Sequence, residues 1–261
     1  MLKKKLVFLI LTQDSEKTIK KTIDSIYKYA DKIIVVDGYS KDNTCDILKK
    51  KKIKILKKKF YSCPSSLNFG MRYIDKKINN SLVFRIDSDE ILVRKKQVKN
   101  LKTRLINDFE KLKCNIEIKR KVLKNDLEIT SDLEKFVSRI SAPNVKYSDR
   151  EMDEILLGES KKISYIEVYD ILGPEIFHHI KKHKLWARLE LASYKIHSEK
   201  EFKYKFYYSL PIFIRSFLFG VFLILKTKIN KNFYYNLKYQ FIRGIYYRMY
   251  VDFLILKKFL L

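Results

Sequence analysis

Glycine, proline, cysteine and tryptophan are all scarce: 261 residues contain six, four, three and one of them. So little glycine and proline excludes a collagen-like or low-complexity chain, and an apolar content of 46% leaves ample material for a packed core. Cys45, Cys63 and Cys114 form an odd set with no Cys-x-x-Cys pair, which argues against a disulfide framework or structural zinc and for a reducing compartment. Acidic residues are few as well. Thirty Asp and Glu face 56 Lys and Arg, a net charge of +26. A surface this positive attracts anions, whether nucleic acid, lipid headgroups or phosphorylated sugars. Part of the excess carries no such message, because lysine travels here with Ile, Asn, Tyr and Phe, the joint signature of an AT-rich coding sequence. Helix, finger and RNP-type nucleic-acid patterns are missing.

What is present is an alternation of strands and helices. Met1-Leu2-Lys3-Lys4-Lys5 and the apolar run Leu6–Leu11 imitate a signal peptide, but the run is short and ends at Thr12-Gln13-Asp14 without a small-residue cleavage site. It reads as a buried parallel strand. Asp14 or Ser15 is expected to cap a helix carrying Ile19, Ile23 and Ile26. Strands are expected at 33–36, 53–56 and 82–86, with helices at about 43–50 and 66–78 between them. Val98, Leu101, Leu105, Phe109 and Leu112 mark a further helix, and shorter strand-like runs cover 115–122 and 136–140. Such spacing predicts βαβ units in a doubly wound sheet, whose strand C-termini line one ligand-binding edge.

Acidic clusters fall at that edge. Asp37 ends the second strand, and Asp87-Ser88-Asp89-Glu90 ends the fourth. In extended backbone, residues two apart project to one side, so Asp87 and Asp89 can offer carboxylates to one hard cation, Mg²⁺ or Mn²⁺. A bound cation would neutralise a diphosphate leaving group. The plainer alternative is that strand-end aspartates cap the next turn. No glycine lies between Thr12 and Thr18, which argues against a nucleotidyltransferase phosphate loop.

These segments together resemble family 2 glycosyltransferases of the GT-A fold, in particular the bacterial branch that builds lipopolysaccharide cores. Thr12-Gln13-Asp14-Ser15 stands at the family's Thr-x-Asn-Glu start, and Val35-Val36-Asp37-Gly38-Tyr39-Ser40-Lys41-Asp42-Asn43-Thr44 resembles its Val-Asp-Ser-Gly-Ser-Thr-Asp-Gly-Thr segment. Ser66-Leu67-Asn68-Phe69-Gly70 matches Gln-Arg-Asn-x-Ala in part, and Phe84-Arg85-Ile86-Asp87-Ser88-Asp89-Glu90 resembles Leu-Asp-Ala-Asp-Glu. Departures occur at Gln13, Asp14, Tyr39 and Ser66-Leu67. The resemblance implies a mostly parallel, Rossmann-like GT-A sheet flanked by helices over residues 1–195, followed by a helical, aromatic-rich extension over 196–261. It also implies that Thr12, Asp14, Asp37, Asn68, Asp87, Ser88 and Glu90 line the nucleotide-sugar site, with Asp89 and Asp87 at the metal.

An inverting transfer needs a base to take the acceptor hydroxyl's proton. Arg150-Glu151-Met152-Asp153-Glu154 falls where the family carries Val-His-Glu, which makes Glu154 the expected base with Asp153 beside it. His179 and His183 have helical i,i+4 spacing but lie among lysines, which speaks against zinc. The resemblance instead places His178 near the diphosphate or acceptor.

From Phe202 onward Tyr, Phe, Ile, Leu, Lys and Arg dominate, and Arg215 interrupts the apolar stretch 212–225. Two readings stand: an amphipathic element at an anionic membrane surface, or a helical hairpin packed on the catalytic domain or a second copy. The expected activity is metal-dependent, inverting sugar transfer from a nucleotide-sugar, UDP-linked by preference, to a lipopolysaccharide-core or other surface-glycan acceptor at the cytoplasmic face of the membrane. The rival readings are a basic nucleic-acid-binding protein and a non-catalytic, glycan-binding relative. Strand-end aspartates argue against the first of these, since without a metal they would repel phosphates.

Overall fold

A computed structural model of the chain describes residues 4–95, 100–124, 127–128, 135–148 and 156–171, with single positions between 184 and 254. Strands β1 (Lys5–Thr12), β2 (Lys32–Asp37), β3 (Lys54–Lys57) and β4 (Ser81–Asp87) alternate with helices α1 (Ile19–Ile26), α2 (Thr44–Lys50) and α3 (Cys63–Lys77). There follow β5 (Glu90–Arg94), α4 (Leu101–Leu112), β6 (Asn115–Lys124), β7 (Leu127–Glu128), β8 (Lys135–Ser141) and β9 (Ser160–Ile171). The sheet order among the described residues is β3-β2-β1-β4-β8-β6-β9-β5, with β7 paired to β6. Parallel pairings join β3, β2, β1 and β4. Beyond β4 the pairings β4–β8, β8–β6 and β5–β9 are antiparallel, so the α/β sheet is mixed.

Alternate residues of β1 explain why its apolar run is unbroken. Leu6, Phe8 and Ile10 join Ile19, Ile23 and Ile26 of α1 and Leu101 and Leu105 of α4 in one core. Val7 and Leu9 face the other way, into a second core with Leu67, Met71 and Ile74 of α3. Both sheet faces are covered, so no position in the strand can be polar until the chain reaches its end. The rings of Phe8 and Phe84 stack across β1 and β4 with centroids 4.9 Å apart.

Three local readings need correction. Asp14 and Ser15 do not cap α1, which begins at Ile19 without a side-chain cap. Their polar groups are spent on another loop: Ser15 N donates to Thr44 Oγ1 (2.8 Å), and Asp14 Oδ1 accepts from Lys41 N (2.7 Å). Helix α3 starts at Cys63, three residues before Ser66, because Ser62 Oγ accepts from Ser65 N and Pro64 fits the first turn. Strand β5 opens on Glu90, inside what reads as a purely acidic motif, and its antiparallel partner β9 is equally absent from the periodicity reading.

Two compact units are distinguished, one of Met1–Val122 with Glu134–Ile171, the other of Leu123–Leu133 with Leu172–Leu261. In the second unit the rings of Tyr246, Tyr250 and Phe253 form a ladder at 6.0 and 6.4 Å, while Ile214, Phe217, Leu218 and Leu225 are exposed. Among the described residues no helix is long and apolar enough to cross a membrane. Cys45, Cys63 and Cys114 form no disulfide.

Gly70 is required where α3 crosses the sheet, for a Cβ there would lie 2.6 Å from Leu9 Cδ1 and 3.0 Å from Val36 Cγ2. Gly70→Ala is therefore expected to lower stability by roughly 1–3 kcal/mol, the usual cost of overpacking. Urea denaturation measures it, and an unchanged midpoint would mean that α3 lifts from the sheet at no cost.

Candidate active site

Register brings the strand ends together. Thr12 of β1 pairs with Asp37 of β2, and Leu11 pairs with Asp87 of β4. Thr12, Asp37 and the Asp87–Glu90 turn thus share the C-terminal edge of the parallel half, where crossovers of fixed hand leave ligand-binding crevices in such sheets. Thr12 is buried, and its Oγ1 has no hydrogen-bond partner.

Asp37 is fully buried, yet it is held as an anion. Its Oδ2 accepts from Lys57 Nζ at 2.6 Å and from Ser40 N at 3.0 Å, while Ser40 Oγ donates to Oδ1. Burial alone would push this carboxyl up, but the bonds from Lys57 and Ser40 outweigh it and hold the group below its ordinary value. Hydrogen bonds to Asp37 and, next, to Cys45 Sγ push the Lys57 ammonium up. Asp14 lies in the adjoining loop, where its N–H donates to Ser40 Oγ at 2.9 Å.

The turn after β4 is built around arginines. Arg139 of β8 grips Asp87 with both terminal nitrogens, at 2.9 Å to Oδ2 and 3.3 Å to Oδ1. Arg85, two residues before it, donates to Oδ1 through Nε at 3.1 Å. Glu90 has no exposed side-chain surface, and its Oε1 accepts from Arg139 (2.6 Å) and Arg120 (2.9 Å) while Oε2 accepts from Asp87 N (3.0 Å). Arg120 also binds Asp170 Oδ2 at 2.5 Å. Burial works against the Asp87 anion, but Arg139 and Arg85 prevail and hold its carboxyl far below the usual carboxylate range. Burial pushes the Glu90 carboxyl up, with the neighbouring Asp87 charge adding to the effect and Arg139 opposing it.

This geometry revises several expected roles. Glu90, expected beside the donor, is sealed inside the arginine cluster and holds the turn from within. Asp87, expected as a metal ligand, has both oxygens committed to guanidinium groups. Asn68, expected at the donor, spends both ends of its amide on the Tyr147 backbone: Oδ1 accepts from N at 2.8 Å, and Nδ2 donates to O at 3.1 Å. Ser88 shares a hydrogen bond with Ser15 Oγ at 2.9 Å, and its carbonyl accepts from Thr22 Oγ1, which ties the turn to α1. Asp89 lies within electrostatic reach of Arg120, and its carbonyl accepts from Ile171 N at 2.7 Å. Among the described residues no three His, Cys, Asp or Glu side chains gather as a metal set. Asp153, Glu154 and His178 lie outside the described residues. Arg85, Arg120, Arg139 and Lys57 escaped the reading of motifs. Only Arg85 announced itself, as a charge between Phe84 and Ile86 in an otherwise apolar strand, where a buried cation demands a partner.

Residues 8–115 match the family model described as Glycosyl transferase family 2. The matched segment runs from within β1 to the start of β6 and contains every strand end described above. Among solved structures, S. aureus TarS 1–349 in complex with UDP is similar at 16% identity and a TM-score of 0.45, over 72% of this chain and 66% of that one. Glucosyl-3-phosphoglycerate synthase from Mycobacterium tuberculosis, in complex with Mn²⁺, UDP and glucosyl-3-phosphoglycerate, is similar at 17% identity and a TM-score of 0.35, over 49% of this chain and 46% of that one. The chain thus spans just under two thirds of the first structure's length and under half of the second's. No curated protein sequence matches it.

Arg139→Leu would leave Asp87 and Glu90 short of their shared cation in a buried site. A loss of about 3–5 kcal/mol is expected, the range for breaking a buried ion pair from one side. Chemical denaturation at neutral pH is the measurement, and a loss under about 1 kcal/mol would show that water or Arg85 replaces the guanidinium.

Proposed function

We propose that this chain transfers a sugar, with inversion, from a nucleotide-sugar to a surface-glycan acceptor. The observation that carries the reading is the convergence of Thr12, Asp37 and the Asp87–Asp89 turn at one sheet edge, inside the segment that matches family 2. In this reading Asp37 and Thr12 line the nucleotide end of the crevice. Asp87, kept anionic by its arginines, accepts a hydrogen bond from a donor hydroxyl. Asp89 holds a divalent cation, Mg²⁺ or Mn²⁺. One protein carboxylate fits such an ion, since these cations complete their shells with water and substrate phosphates and need no all-protein cage. When bound, the ion would offset the charge that develops on the departing diphosphate.

Glu154 takes the proton of the acceptor hydroxyl as that oxygen attacks the anomeric carbon, with Asp153 beside it, and His178 serves the diphosphate or acceptor. These three assignments rest on the motif resemblance. UDP is the first nucleotide to try, as it is the one held in both solved neighbours. A lipopolysaccharide-core acceptor at the cytoplasmic membrane face accords with the net charge of +26 and with the exposed Ile214, Phe217, Leu218 and Leu225 of the second unit.

Calorimetric titration of UDP and GDP, each with Mn²⁺ and with EDTA, tests the donor site. Manganese-dependent binding is expected, weakened at least tenfold in Asp89→Ala; affinity unchanged by that substitution would refute the metal assignment. Glu154→Gln should keep donor binding while transfer of labelled sugar to glycolipid extracts falls by about 10²–10⁴-fold, the usual worth of a general base. Undiminished transfer would move the base elsewhere.

A further inference from the structure

Among the described residues five non-glycine positions have a positive φ: Asp14, Tyr39, Lys52, Asn80 and Lys113. Asp and Asn tolerate that region, and Lys52 and Lys113 lie just past the ends of α2 and α4, where helices commonly turn left-handed. Tyr39 has neither excuse. It is a bulky aromatic at φ 62°, two residues beyond the end of β2, and 57% of it is exposed. Strain of this kind persists only where the surroundings over-determine it, and here they do. Gly38 N donates to Thr12 O (2.9 Å), Ser40 N to Asp37 Oδ2 (3.0 Å), and Lys41 N to Asp14 Oδ1 (2.7 Å). The backbone on both sides of Tyr39 is held by hydrogen bonds, while its ring is left to solvent.

The ring is also furnished with a cation. Lys57 Nζ stands 5.8 Å from its centroid. Of the three N–H bonds of that ammonium, Asp37 Oδ2 takes one and Cys45 Sγ another, at 2.6 and 2.8 Å. The third remains for a ligand acceptor. Asp37 already serves Lys57 and both donors of Ser40. A flat exposed ring beside an N–H donor, at the strand edge next to Thr12, suits a planar heterocycle with carbonyl oxygens on its rim.

We infer that Tyr39 is the platform on which the nucleobase of the donor stacks, with Lys57 donating to a base carbonyl. The inference rests on the donor reading above and adds to it the residue that reads the base. It also explains why a tyrosine occupies a turn position where a small residue would be less strained.

The test is calorimetry of UDP, UMP and pyrophosphate with Mg²⁺, on the full chain and on Tyr39→Asn and Tyr39→Phe. Asn keeps the left-handed turn and removes the ring; Phe keeps the ring. Tyr39→Asn should weaken UDP and UMP by about tenfold, the order of one lost base–aromatic stack, and leave pyrophosphate unchanged. Its melting temperature should not fall, because Asn suits the backbone better. Tyr39→Phe should bind UDP like the parent chain. Undiminished UDP affinity in Tyr39→Asn, or an equal loss for pyrophosphate, overturns the platform alone. A parent chain that binds pyrophosphate but neither nucleotide overturns the donor reading together with it.

Discussion

Burial of Glu90 is the constraint on which the acidic turn depends. A carboxylate without exposed surface is tenable only if its lone pairs are met by cations and N–H donors. Arg120 from β6, Arg139 from β8 and the backbone of Asp87 meet them. Because Arg139 also grips Asp87, one guanidinium fixes both ends of the turn and leaves Ser88 and Asp89 between them. The antiparallel half of the sheet acquires its purpose here. Strands β6, β8 and β9 carry Arg120, Arg139 and Asp170 to the end of β4, so the second half of the domain holds the acidic edge of the first.

Charge is arranged differently on the two sides of β1. Around Asp87 and Glu90 the compensation is by arginine, whose planar fork satisfies several oxygens at once and stays protonated in a buried site. Around Asp37 it is by a single lysine and a serine, and the lysine is 41% exposed. The first arrangement is rigid and internal. The second leaves a partly solvated ammonium and an exposed ring at the crevice, which is where a ligand can still exchange contacts.

Much of the parallel half was legible without coordinates. Unbroken apolar runs at Leu6–Leu11, Ile33–Val36 and Leu82–Ile86 demand burial on both faces, and helical spacing between them supplies the cover. Polar residues that end those runs abruptly mark the sheet edge, so Thr12, Asp37 and Asp87 could be assigned to one place. The antiparallel half was less legible because β5 and β9 alternate too weakly and because their partners lie far away in sequence. Glu90 pairs with Asp170 across 80 positions, a separation that no local pattern encodes.

Side-chain roles divided along the same line. Residue type and spacing alone determined the α/β class, the strand ends, the family resemblance and the cluster of carboxylates at one edge, since these follow from periodicity and from chemistry read one segment at a time. Tertiary structure decided which carboxylates face inward. Asp87, Asp89 and Glu90 look alike in sequence, yet arginines 30 to 52 residues away grip Asp87 and Glu90 and hold them in the packed cluster. Asn68 likewise looks like a ligand residue until the backbone of Tyr147 arrives to take both ends of its amide. A short polar motif states what its residues can bind; only the packed chain shows which partners reach them first.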